Sequence, residues 1–249
     1  MASLREKPHM TAHGIMRREE QPPLVLVPGT ACDERIFKPM LDRLKYPHTI
    51  TLEIDGVSSM HDAALRILSK APERFILCGF SLGGIAAFEI VAQASERVEK
   101  LVLIDTTAKP DPIENTAVRR KAVAEAEARG MESFILDAWP KLVAPCNIYD
   151  HEIRSTIVAM ANDCGVAKLA AQAEVAISRA DSRPRLGAIT QPTLVLAGES
   201  EAVCPIDAHR EIADGISGAE LVVIPKAGHF SPLENPAEIS AQLKRFLAR

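Results

Sequence analysis

The residues best suited to chemistry are one serine set between glycines and one histidine on a loop. In Gly79-Phe-Ser-Leu-Gly-Gly84, Ser81 has a glycine two positions away on each side. This G-x-S-x-G spacing suits a serine held on a sharp turn between a buried strand and a helix. The reason is steric, because such a turn leaves no room for side chains two residues before and two after the serine. Gly79 and Gly83 meet that requirement, and Gly84 allows close packing of the helix. The helix would aim its first amides at the place where negative charge develops.

A serine hydroxyl is a weak nucleophile and needs a base within hydrogen-bond reach. Seven histidines are available. His9, His13, His48 and His61 lie in the N-terminal tail or beside helix and strand starts, while His151 and His209 lie in or next to helical stretches of mixed polarity. His229 differs, because it follows the apolar run Leu221–Ile224 and so sits on a loop past a strand's C-terminal end. The base in turn needs a carboxylate to set its tautomer and stabilise the imidazolium. Glu199, Glu201 and Asp207 follow the run Thr193–Leu196, and Asp105 follows Val98–Ile104. The chain order serine, acid, histidine selects the 199–207 loop first.

These side chains need a scaffold that brings strand ends together. Leu24–Val27, Thr49–Ile54, Phe75–Cys78, Val98–Ile104, Thr193–Leu196 and Leu221–Ile224 read as strands. Helical patterns fall between them at Ile36–Leu44, Ala63–Lys70, Leu82–Ala94 and Asp207–Ile216. Apolar strands buried on both faces, each followed by a helix, predict an α/β fold with a mostly parallel central sheet and flanking helices. Between Thr106 and Gly187 no strand pattern appears. Ala117–Arg129, closed by Gly130, then Met131–Val143, Glu152–Ala161 and Val166–Arg179 read as helices. Such a block is either an inserted cap at the strand C-termini, where α/β ligands bind, or a plain helical layer on the sheet.

Composition narrows the function classes. The chain has 249 residues, 47% hydrophobic and 25% charged, which excludes a disordered or fibrous chain. Lys plus Arg is 29 against Asp plus Glu 33, a net charge of −4. That balance, with 4% aromatics, gives no case for nucleic acid. The five cysteines are scattered without C-x-x-C spacing, favouring incidental thiols in a reducing compartment over a disulfide framework or a metal site. No apolar run is long enough for a membrane span, and residues 1–21 form a polar tail without the apolar core of a secretory signal. The expected location is the cytoplasm.

Three segments give the chain a family likeness: Gly79 to Gly84, Pro192-Thr-Leu-Val-Leu-Ala-Gly198, and Ala227-Gly-His-Phe-Ser-Pro-Leu-Glu-Asn-Pro236. Together they resemble the α/β-hydrolase superfamily, most closely its small, cap-bearing esterase-like members. Those members include the carboxylesterases that cut pimeloyl methyl ester from a carrier protein. The resemblance covers Leu24 to Leu247 and implies a core of residues 1–106 and 188–249 with a helical cap at 107–187. In this family the acid stands three residues after the strand-ending glycine and four before a proline, which implies Glu201, where aspartate is usual. Some relatives take their acid from the earlier strand, hence Asp105. The usual His-Gly of the oxyanion loop is here Pro28-Gly29, which makes the amides of Thr30 and Leu82 the implied oxyanion donors. Relatives also begin with about two antiparallel strands, for which Met1–Pro23 shows little pattern.

What the resemblance implies is a serine hydrolase of a small carboxylic ester, free or carrier-linked, without a cofactor. A serine at 81 speaks against the dehalogenases and epoxide hydrolases of this fold, which use an aspartate. The same three side chains would also serve thioester, amide or carbon–carbon hydrolysis, or acyl transfer. A ligand-sensing receptor on this fold is the alternative of another class. Phe134, Ile135, Trp139, Leu142 and Met160 in the cap are an acyl pocket or the cap's own packing. Arg119-Arg120-Lys121 is an anion contact or a solvated face.

Overall fold

The computed structural model of the chain describes residues 21–249. Its strands are β1 (Leu24–Val27), β2 (Thr49–Thr51), β3 (Phe75–Phe80), β4 (Val98–Ile104), β5 (Thr193–Gly198) and β6 (Glu220–Ile224). They form one six-stranded sheet in the order β2-β1-β3-β4-β5-β6, and every pairing is parallel. The helices are α1 (Lys38–Leu44), α2 (Met60–Lys70), α3 (Leu82–Ala94), α4 (Asn115–Arg129), α5 (Met131–Leu142), α6 (His151–Ile177), α7 (Ile206–Gly215), α8 (Ser231–Glu234) and α9 (Pro236–Leu247). The expected polar tail, with His9, His13 and the place of the family's first strands, lies outside the described residues apart from the last few before β1.

Alternation along the strands builds two cores. Leu26 pairs with Cys78, Cys78 with Val102 and Val102 with Leu194, and all four face one core with Met40 of α1 and Leu243 of α9. Their neighbours Val25, Leu77 and Leu101 face the other core, with Ile67 of α2, Ile90 of α3 and Ile212 of α7. A strand buried on both faces has no polar side to show, which is why β1, β3 and β5 read as continuous apolar runs. The edge strand β2 stops at Thr51, short of the expected Ile54. Beyond it the Ile54 carbonyl accepts from Gln172 Nε2 of α6 at 3.1 Å instead of extending the ladder.

Parallel pairing places every strand's C-terminal end at one edge of the sheet. Thr30, Ser81, Asp105, Glu201 and His229 all follow strand ends, so they collect at that edge. Between β4 and β5 the chain is helical, with α4, α5 and α6 as the long elements. Gly130 separates α4 from α5 with φ 89°, as its place after Arg129 predicts. The two helices expected at 152–161 and 166–179 form α6, whose backbone leaves the helical region at Gly165 (φ 69°, ψ 167°). α9 is not among the helical patterns named above. Its signals are local: Asn235 caps the amide of Glu238, Pro236 opens the helix, and Ile239, Leu243 and Phe246 are buried at helical spacing. Among the described residues, no helix is long and apolar enough to cross a membrane.

Candidate active site

The site is built on the turn between β3 and α3. Ser81 takes φ 51° and ψ −115° there, a conformation that costs a non-glycine residue about 1–3 kcal/mol and persists only under tight constraint. The constraint is visible in the two flanking glycines. A Cβ on Gly79 would stand 2.4 Å from the Gly83 carbonyl oxygen, and one on Gly83 would stand 2.0 Å from that of Val27. Ser81 N–H also donates to the Ile104 carbonyl of β4 at 2.9 Å. A glycine-to-alanine change inside a helix normally stabilises by about 1 kcal/mol. Gly83→Ala is expected to do the opposite, lowering Tm by at least about 5 °C in a thermal melt, because overpacking costs about 1–3 kcal/mol or more. A raised Tm would contradict this close approach.

From that turn a chain of hydrogen bonds runs into the protein. Ser81 Oγ lies 3.0 Å from His229 Nε2, and His229 Nδ1 lies 2.6 Å from Glu201 Oε2. Glu201 Oε1 accepts from the amides of Val203 at 2.6 Å and Cys204 at 3.0 Å. Burial pushes the Glu201 carboxyl up, but the charge and hydrogen bond of His229 and those two amides outweigh it and hold the group below its usual range. An ionised carboxylate can only accept, so Nδ1 carries the imidazole proton and Nε2 accepts from the serine hydroxyl. The imidazole, 5% exposed, is walled by Phe80 (centroids 5.3 Å apart) and by the edge of Phe230.

The other carboxylates around this loop have partners other than His229. Glu199 accepts from Lys226 N–H, and Asp207 is exposed and pairs with Arg210. Asp105 is buried and accepts from Gly198 N–H at 2.8 Å, Ser231 N–H at 3.3 Å and Ser231 Oγ at 2.5 Å. It thereby ties the end of β4 to the end of β5 and to the loop just past His229. Burial, reinforced by the charge of Glu201, raises its carboxyl well above the usual range. His209 is a buried structural residue whose Nε2 accepts from Thr106 N–H at 3.0 Å. Burial holds its pKa below the ordinary histidine value.

Two residues that sequence reasoning missed support the site. Glu234 accepts from Gly228 N–H at 2.8 Å and Phe230 N–H at 3.2 Å, one on each side of His229. Its second oxygen accepts from Ala144 N–H and Asn147 Nδ2 beyond α5. Gln172 Oε1 accepts from Ala31 N–H at 2.9 Å and so fixes the turn that carries Thr30. Gln172 is joined to that turn across 141 residues, so no local pattern signals it. Glu234 had a signal, its place within the segment Ala227–Pro236 that carries the family likeness, five residues after His229. The Thr30 and Leu82 amides donate to no protein group among the described residues, and both residues line the same cavity as Ser81 and His229.

That cavity has a volume of about 300 Å³, at the small end of ligand pockets. Phe134, Ile135 and Leu142 of α5 line it, whereas Trp139 and Met160 pack into the core. The basic run on α4 splits three ways. Arg119 lines the cavity, Arg120 pairs with Glu174, and Lys121 pairs with Glu125 four residues on.

Comparison with known proteins adds names to this geometry. The profile of the Alpha/beta hydrolase family matches residues 24–242. The pimeloyl-[acyl-carrier protein] methyl ester esterase of Pectobacterium atrosepticum is 27% identical over 244 residues, covering 90% of this chain and 93% of that one. A Rhizobium rhizogenes protein, named as a proposed carbamate hydrolase, RutD, is 26% identical over 96% of this chain and 97% of its own. A thermophilic esterase from Thermogutta terrifontis, solved with malate bound, superposes with TM-score 0.82 at 27% identity, covering 91% of this chain and 89% of that one.

Proposed function

Because the chain belongs to the alpha/beta hydrolase family, we propose that it is a serine hydrolase of carboxylic esters acting through Ser81, His229 and Glu201. Its named relatives are esterases and hydrolases, and the chain is an enzyme of that kind. The observation that carries the finer reading is the unbroken line from Ser81 Oγ through His229 to Glu201, with contacts of 3.0 Å and 2.6 Å.

In this mechanism His229 Nε2 takes the Ser81 proton as Oγ attacks the ester carbonyl. Glu201 keeps the proton on Nδ1 and stabilises the imidazolium that forms. The Thr30 and Leu82 amides receive the oxyanion, each such donor contributing about 3 kcal/mol to the transition state. His229 returns the proton to the leaving alkoxide, which departs and leaves an acyl-enzyme. Water then repeats the sequence with His229 as base, releasing the acid and restoring the Ser81 hydroxyl.

Residues 21–106 and 188–249 serve as the hydrolase core and 107–187 as its cap. This division is supported by the cap side chains Arg119, Phe134, Ile135 and Leu142 on the wall of the Ser81 cavity. The substrate is a small ester, free or linked to a carrier, as the name of the Pectobacterium relative supports. A cytoplasmic location fits the five unpaired thiols. The same side chains serve a carbamate or amide equally well, a second reading favoured by the Rhizobium relative's name. No such observation favours the ligand-sensing receptor.

A fluorophosphonate probe tests the nucleophile directly. Native protein is expected to gain one adduct, mapped by mass spectrometry to the peptide with Ser81, and heat-denatured protein none. An adduct elsewhere, or labelling that survives denaturation, would reject the assignment.

A further inference from the structure

The walls of the Ser81 cavity carry charge of one sign. Arg119 on α4 and Arg179, two residues past α6, both line it, and among the described residues no carboxylate does. Behind them lies Asp111, with a side chain 1% exposed. Its oxygens accept from Arg119 Nε at 2.8 Å and Nη2 at 2.9 Å, and Arg179 Nη1 forms an ion pair with it at 2.9 Å. Two guanidiniums therefore share one carboxylate, which leaves one positive charge over. Glu201 makes no contact with either guanidinium. Its side chain is fully covered, and its oxygens are spent on His229, Val203 and Cys204.

The two arginines are not equivalent. Arg179 turns its remaining donors to backbone, with Nε on the Lys109 carbonyl at 3.0 Å and Nη1 on that of Ala176 at 3.2 Å. It braces the segment between β4 and α4. Arg119 spends only Nε and Nη2, both on Asp111, and its Nη1 has no protein partner among the described residues. Its side chain is 31% exposed. A guanidinium carries five N–H donors in a planar fork, so Arg119 keeps an open edge for a further planar anion. Net positive charge beside Phe134, Ile135 and Leu142 is costly unless an anion answers it.

We infer that Arg119 sets the substrate class: a short ester bearing a second, ionised carboxylate, whose anion pairs with Arg119 while its ester carbonyl meets Ser81. This rests on the esterase reading and narrows it to monoesters of small dicarboxylic acids. The cavity volume of about 300 Å³ limits the chain between the two groups. Asp111 is the positioning residue for Arg119. Burial pushes its carboxyl up, but the hydrogen bonds of Arg119 and the charge of Arg179 hold it below the usual range, ionised against both.

The test compares kcat/KM for the monomethyl esters of succinate, glutarate and adipate with their neutral methyl amide-esters, which replace the carboxylate by a carboxamide of similar shape. Wild-type protein is expected to prefer the acid by at least about tenfold for one chain length, the lower range for hydrogen bonds to a charged group. The preference is expected mainly in KM. Arg119→Gln is expected to bring the acid-to-amide ratio near one, and Arg119→Lys to restore part of it. A merely structural role would lower both kcat/KM values together and leave the ratio standing, which would overturn the inference. Equal use of acid and amide by wild-type protein at all three lengths would also overturn it while leaving the esterase reading intact. If no ester is turned over and Ser81 takes no fluorophosphonate adduct, both readings fall together.

Discussion

Ser81→Ala is expected to lower kcat for ester hydrolysis by at least about 10⁴-fold, the scale on which serine hydrolases lose turnover with their nucleophile. The change removes one atom, Oγ, whose side-chain hydrogen bond is to His229 Nε2. His229 stays fixed by Glu201, and the loop around it stays fixed by Glu234 and Asp105. The variant should therefore fold, with Tm within a few degrees of wild type. Its residual rate should exceed that in water, since the Thr30 and Leu82 amides and the cavity remain. The measurement is initial rate on p-nitrophenyl acetate with enzyme in excess, so that a single acylation would be seen. More than about 1% of the wild-type rate in a protein of unchanged Tm would place the nucleophile elsewhere.

Much of this arrangement was legible because the strands are buried on both faces. Continuous apolar runs located β1, β3, β4 and β5, and the loops after them located Ser81, Asp105 and the 199–207 segment. Residue types alone left the acid open among Glu199, Glu201, Asp207 and Asp105, and only the family likeness singled out Glu201. The structure explains the ambiguity: all four are carboxylates near the same strand ends, and their partners differ only in three dimensions. Glu199 meets an amide across the next loop, Asp207 meets solvent, and Asp105 meets the end of β5. The run Arg119-Arg120-Lys121 makes the same point on a helix. At about 100° per residue three adjacent side chains point three ways, so reading them as one patch hid the single residue that reaches the cavity.

Glu201→Gln is expected to lower kcat/KM by about 10³–10⁴-fold, while Asp105→Asn lowers it by no more than about tenfold. The difference follows from which atoms each group answers. Glu201 Oε1 accepts from the amides of Val203 and Cys204, and glutamine has one oxygen with which to do so. That oxygen must stay there, which turns the new NH₂ toward His229 Nδ1. Two donors cannot face each other, so Nδ1 gives up its proton and the ring carries it on Nε2, where it can no longer accept from Ser81. Asp105 touches no atom of the imidazole. Asparagine can keep its oxygen on Gly198 N–H and donate its NH₂ to Ser231 Oγ, which reverses its hydroxyl, leaving Ser231 N–H the poorer. The cost there is expected in Tm more than in turnover, because a buried donor loses its acceptor. Measuring kcat/KM and Tm for both variants separates the two roles. If Asp105→Asn proved the more damaging to kcat/KM at equal Tm, the acid would belong to the end of β4, and the 2.6 Å contact between Glu201 and His229 would be structural alone.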